Sequence, residues 1–238
     1  MTFYDLARAC YPLLIANDDK KYWIGKDGTC FLAERRGRVF ALAARHCVVP
    51  ASGADLRIAC HEGEFAPLRA AYQRTLDREL KSDEEDLYII ELDRDRRSKS
   101  YSASLAPLKI DAVPPIHLLK KQTLEPEICI PGFPGNRTVI DYETNVLYPK
   151  PTILAAWYVG PGIESTQHEV KFVENSAVVP SVAGFSGSPV FWVPKENGKR
   201  SFAFVGMLLR GTTARGFFLE ASVIVRGLDN IINQNPDG

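Results

Sequence analysis

The sequence predicts an all-β fold with one C-terminal helix. Short apolar runs recur along the chain, and turn residues close them at the spacing of about 8–12 residues expected of sandwiches and barrels. Near the end the period changes: Ile224, Leu228, Ile231 and Ile232 share one helical face, with Ser222 placed as the cap. A polar, strand-poor stretch, Arg96 to Ser102, followed by Val113-Pro114-Pro115, reads as a linker between two halves, 1–112 and 113–238.

The elements follow in order. Phe3, Leu6, Cys10 and Leu13 fall near helical spacing and predict a short packed helix. Thr29 to Ala33 and Arg38 to Ala43 are apolar runs joined by the turn-like Glu34-Arg35-Arg36-Gly37. Asp86 opens a strand in which Tyr88, Ile90 and Leu92 share a face. Ile128-Cys129-Ile130 runs into the breakers Pro131 to Gly135. Val139 to Leu147, Ala155 to Val159, Val170 to Val173, Pro189 to Val193, Phe202 to Leu209 and Gly216 to Ala221 also read as strands.

Composition bounds the function. The 238 residues carry 29 Lys+Arg and 29 Asp+Glu, so there is no basic field to favour nucleic acid. No run approaches the roughly 20 apolar residues of a membrane span. The N-terminus lacks the basic start and apolar core of a secretory signal, and a cytoplasmic location is expected. Cys10, Cys30, Cys47, Cys60 and Cys129 are odd in number and scattered, which favours free thiols over a disulfide framework. His and Cys do not cluster as a zinc site requires, and Cys60-His61 reads as a chance pair. No metal or cofactor is expected. The run Arg94 to Lys99 reads as a solvated loop, diluted by Asp93 and Asp95.

Gly184-Phe185-Ser186-Gly187-Ser188-Pro189 is the hexapeptide with most chemical content. It is either a plain Gly/Ser/Pro turn or a nucleophile turn. In the second case it exposes a Ser hydroxyl, with neighbouring N–H groups converging on an oxyanion. Chain order separates the arrangements that use such a Ser. His46, His61, His117 and His168 all precede Ser186, which excludes an α/β-hydrolase elbow. The helices of a subtilisin-type fold are missing. The remaining order is His, Asp, Ser on barrels. His46 closes the apolar run Phe40 to Ala44 and suits an oriented base at a barrel rim. Asp86 abuts the strand Leu87 to Leu92, which would bury it, and is preferred over Asp83, Glu84 and Glu85.

In this order the motifs resemble those of trypsin-like (chymotrypsin-fold) serine peptidases, of the intracellular bacterial type. Gly28 to Leu32 resembles that family's GTGFL strand, Ala43 to Cys47 its TAAHC segment, and Asp86 to Ile90 its DIALL segment. Val113 to Leu118 is similar to its interdomain linker, Gly184 to Pro189 to GDSGGP, and Val205-Gly206-Met207 to its pocket-lining strand. The resemblance runs from about Gly28 to Asn233, and gaps of 40 and 100 residues between His46, Asp86 and Ser186 fit it.

The resemblance implies two six-stranded antiparallel β-barrels, with His46 and Asp86 on the first and Ser186 on the second. It implies a Ser186 nucleophile, a His46 base and an Asp86 that orients it. The backbone N–H groups of Gly184 and Ser186 would form the oxyanion hole. Phe185 replaces the Asp that pairs with a new N-terminus in secreted zymogens, so activation by such a cleavage is not expected. The site is then constitutive, or switched by a partner protein or ligand. Gly28 stands where the Cys partner of Cys47 would be, and Leu209 where many members place a Ser behind the Asp.

Pocket walls are expected from Pro180, Ser181, Ala183, Leu209, Arg210, Gly211 and Thr212, with Arg215 and Gly216 near the base. Pro180 at the position that selects Arg or Lys in trypsin gives no support to that preference. Arg210 and Arg215 either favour an acidic or amide side chain or sit exposed on the rim. The expected function is a serine endopeptidase acting on a protein or peptide substrate, a specific intracellular partner, with no nucleic acid or membrane partner. The alternatives are a catalytically silent peptidase-fold module that binds a peptide or protein, and an esterase using the same triad. The intact Ser, His and Asp argue against the silent module, and an ester-versus-amide rate comparison separates the esterase.

Overall fold

The N-terminal half builds a sheet whose two faces are both covered. A computed structural model of the chain describes residues 3–16, 24–48, 56–58, 68–73, 86–92, 106–119, 123–144, 146–173, 182–196 and 198–235. Helix α1 (Phe3–Ala7) leads into β1 (Cys10–Ala16), β2 (Ile24–Arg35), β3 (Arg38–Ala44), β4 (Leu56–Ile58), β5 (Leu68–Gln73), β6 (Leu87–Leu92) and β7 (Leu108–Lys109). Their order is β4-β1-β2-β3-β6-β5, with β7 alongside β2 in parallel. Alternate residues of one strand enter different cores. Phe40 and Leu42 of β3 join one cluster, and Val39, Ala41 and Ala43 the other. Burial on both faces is why β3 reads as a continuous apolar run.

The C-terminal half comprises β8 (Ile128–Gly132), β9 (Val139–Asp141), β10 (Val146–Tyr148), β11 (Thr152–Pro161), β12 (Gln167–Phe172), β13 (Pro189–Trp192), β14 (Lys195–Glu196), β15 (Lys199–Arg200), β16 (Ala203–Gly211), β17 (Arg215–Glu220) and α2 (Ala221–Gln234). Six of these strands close a barrel in the order β11-β12-β17-β16-β13-β8. Ile130, Leu154, Val170, Val190, Leu208 and Phe218 fill it. On its outer face Phe191, Phe204, Met207 and Leu219 meet Phe31, Phe40 and Ile89 of the sheet, and α2 adds Ile224, Leu228 and Ile231. No helix among the described residues is long and apolar enough to cross a membrane.

Several expectations change. Among the described residues the second half is a closed six-stranded barrel, and a second closed barrel is not shown. In the first half the described residues form a sheet of seven strands: three-residue β4 meets β1 only, and β5 meets β6 only, so no ladder among them joins the two edges. Alternation locates strands but carries no information on edge closure. The N-terminal helix stops at Ala7, and Cys10 and Leu13 lie in β1, because apolar spacing over one or two turns fits either state. Residues 139–147 form two strands, since the Asp141 carboxylate accepts from the Glu143 and Thr144 N–H groups and turns the chain. Between β2 and β3 the ladder reaches Arg35 opposite Arg38, and Arg36 and Gly37 both take positive φ, as a two-residue type I′ turn requires. Helix α2 begins at Ala221, so Ser222 lies inside its first turn; its hydroxyl bonds Glu220, the actual cap position. The linker residues 96–102, and with them the run Arg94 to Lys99, lie outside the described residues.

Candidate active site

His46 is held at one end of the open sheet. Strand β3 ends at Ala44, and the chain bends through the 3-10 turn Arg45–Cys47, closed by a 2.8 Å bond from the Val48 N–H to the Arg45 carbonyl. Ala44 pairs with Leu87 across the β3–β6 ladder, so the residue before β6 arrives beside this turn. That residue is Asp86. Its Oδ2 lies 2.8 Å from His46 Nδ1, and its Oδ1 accepts from the His46 backbone N–H at 2.9 Å. One carboxylate thus fixes backbone and ring, and a proton on Nδ1 leaves Nε2 as the acceptor. The bond to Asp86, then the one to Cys47, hold the His46 imidazole above its ordinary pKa of 6.5. The His46 side chain is 48% exposed against 21% for Asp86, so the ring faces outward with the carboxylate behind it.

The segment around Ser186 is a pair of tight turns. The Phe185 N–H bonds the Val182 carbonyl at 3.0 Å, and the Ser188 N–H bonds the Phe185 carbonyl at 2.9 Å. Gly184 and Gly187, third in each turn, have φ of 92° and 87°, the left-handed region of a type II turn. Phe185 between them is fully buried in the barrel core. The turns dock on the sheet. Thr29 donates its N–H to the Ser186 carbonyl at 3.0 Å and its hydroxyl to the Gly184 carbonyl at 2.6 Å, and the Phe133 N–H donates to that hydroxyl at 2.9 Å. From the barrel side the Leu208 carbonyl takes the Gly187 N–H at 2.8 Å.

Gly28 sets the spacing between this loop and the histidine turn. A Cβ there would lie 2.9 Å from Cys47 Sγ and 3.1 Å from the Ser186 carbonyl oxygen. Cys47 therefore faces a glycine and, like Cys10, Cys30 and Cys129, is a free thiol. The Ala183 carbonyl accepts from the Gly135 N–H at 3.0 Å. In a trans peptide the N–H points opposite to the carbonyl, so this bond fixes the direction of the Gly184 N–H.

The expected pocket is described in part. Pro180 and Ser181 lie outside the described residues, as do Asp83, Glu84, Glu85, Cys60 and His61. Ala183 is exposed, and Leu209 is fully buried, its side chain in the core between sheet and barrel rather than in an open wall. Arg210, Gly211 and Thr212 are exposed around the β16–β17 turn, where the Thr212 hydroxyl accepts the Ala214 and Arg215 N–H groups. Gly216 is buried, and a Cβ on it would meet Phe172, Leu208 and Val170 within 3.2 Å. Arg215 pairs with Glu169 at 2.6 Å, and the Arg210 guanidinium lies over the Phe217 ring at 5.7 Å. Both arginines are engaged on the rim.

Two contributors escaped the sequence reading, Thr29 and Lys26. A lone hydroxyl at the head of the apolar run Thr29 to Ala33 was the signal for the first. Among the described residues no group of three or more His, Cys, Asp or Glu could hold a metal. No protein-family model matches the chain, and no curated protein is detectably similar to it.

Proposed function

We propose that this protein is a serine endopeptidase of the trypsin-like type, with Ser186 as nucleophile, His46 as general base and acid, and Asp86 as the group that orients His46. The observation that carries the proposal is the His46–Asp86 bond of 2.8 Å at the sheet end where the Ser186 turn docks, one glycine from Cys47. Ser186 Oγ adds to the scissile carbonyl as His46 Nε2 takes its proton. The C–N bond breaks as His46 returns that proton to the leaving amine. Water then hydrolyses the acyl-enzyme ester by the same steps. The N–H groups of Gly184 and Ser186 receive the oxyanion, their directions held by the bonds that the Ala183 carbonyl accepts from Gly135 and the Phe185 carbonyl accepts from Ser188.

The buried Phe185 supports a site formed without N-terminal cleavage, because its ring already fills the space under the turn. The substrate is a dedicated cytoplasmic partner protein; the four buried free thiols suit a reducing compartment. The test is cleavage-site profiling by mass spectrometry on a diverse peptide mixture. Cuts made by the wild type, absent with Ser186→Ala and not dominated by Arg or Lys at the acyl side, support the proposal. Identical profiles for wild type and Ser186→Ala refute it.

A further inference from the structure

Among the described residues, Lys26 places a cation beside the Gly184 turn with no carboxylate in ion-pair contact. A Cβ on Gly184 would lie 2.5 Å from Lys26 Nζ, so the ammonium is packed directly over that residue. Its placement comes from a β-bulge. On β1 and β2 the register steps from Leu13 opposite Gly28 to Leu14 opposite Lys26, leaving Asp27 with no partner across. Such a bulge re-aims the side chains around it. No carboxylate among the described residues lies within ion-pair distance of Lys26. Burial draws the ammonium down to about 8, outweighing the opposing charges of Cys47 and Asp27. A half-buried ammonium that its surroundings leave undercompensated gains from an incoming carboxylate.

The side of the site follows from the docking. In the proposed site the expected acyl-side wall belongs to β16 and β17, whereas Lys26 reaches the Gly184 turn from β2 of the sheet. We propose that Lys26 is a specificity residue for the leaving-group side of the substrate, where it holds a carboxylate. This rests on the reading of Ser186 as nucleophile. The carboxylate is either an Asp or Glu side chain or the terminal carboxylate of a short leaving peptide.

The experiment titrates three leaving-group mimics, Ala-Glu amide, Ala-Gln amide and Ala-Gln free acid, into the 15N-labelled full chain. Backbone amide shifts at Lys26, Gly135 and Gly184 report binding, with no need for turnover. At least one of the two acids is expected to bind about tenfold or more tightly than Ala-Gln amide, about 1.4 kcal/mol. Which acid does so identifies the source of the carboxylate. Lys26→Met should abolish the preference and Lys26→Arg keep it. Equal binding of all three ligands, no shift at these amides, or an unchanged preference in Lys26→Met overturns the proposal. A separate reaction with a fluorophosphonate keeps the two readings apart. Normal labelling of Ser186 without carboxylate preference sinks the Lys26 proposal alone. Carboxylate preference without labelling sinks the nucleophile reading and leaves an anion site.

Discussion

Thr29 holds the Gly184 peptide from beneath: its hydroxyl donates to the Gly184 carbonyl at 2.6 Å while accepting the Phe133 N–H at 2.9 Å. The same residue's N–H holds the Ser186 carbonyl. A strand of the first half therefore sets the geometry of a turn in the second. Thr29→Val keeps shape and burial but removes both side-chain bonds. Its kcat should fall toward the 10²–10³-fold scale of a lost oxyanion donor, with KM little changed. Thr29→Ser should stay near wild type. Steady-state kinetics on a peptide found by the profiling checks this.

The pH profile follows from His46. Only the neutral ring can accept the Ser186 proton, so kcat/KM should rise with pH as His46 deprotonates. Asp86 stabilises the imidazolium, so the midpoint should lie above the ordinary 6.5. Asp86→Asn removes that stabilisation. The midpoint should move down, and the rate should drop on the order of 10⁴-fold, as the tautomer is no longer fixed. A midpoint that does not move would show that Asp86 does not act on the ring.

Phe185 is fully buried in the barrel core. Phe185→Ala should cost about 3–5 kcal/mol in urea unfolding. Phe185→Asp should cost at least as much, because it buries a carboxylate in an apolar cluster. Phe185→Leu should retain most of the stability. An unchanged unfolding midpoint in Phe185→Asp would show that the turn is not anchored by that ring.

Arg38 ties β3 and β6 to the residue just past α2. Its Nε and Nη2 bond the Glu91 carboxylate at 2.8 and 2.7 Å, and its Nη1 donates to the Asn235 carbonyl just past α2 at 2.6 Å. Arg38 is 8% and Glu91 3% exposed. Arg38→Met strips the guanidinium from a buried carboxylate and should cost about 3–5 kcal/mol. Adding Glu91→Leu should recover much of that loss, which a double-mutant cycle in urea measures.

The strands were legible because burial on both faces of β2, β3 and β6 writes apolar runs into the sequence. Closure of a first barrel is not shown among the described residues, and local patterning carries no information on which edges meet. His46 and Asp86 were each readable as residues at strand ends. Their meeting depends on the pairing of Ala44 with Leu87, a register the sequence does not state. Leu209 could have been placed from alternation alone: Met207 and Leu209 enter one core and Leu208 the other. Lys26 was hidden because its position depends on the bulge at Asp27. Arg210 and Arg215 were readable in both roles until Phe217 and Glu169 appeared beside them.

The most direct measurement is reaction of the purified protein with a fluorophosphonate, read by intact mass and peptide mapping. An activated Ser186 predicts one adduct, located on Ser186, absent in Ser186→Ala and strongly slowed in His46→Ala. Absence of any adduct on the wild type, or an adduct on Ser186 whose rate ignores His46→Ala, would contradict the account.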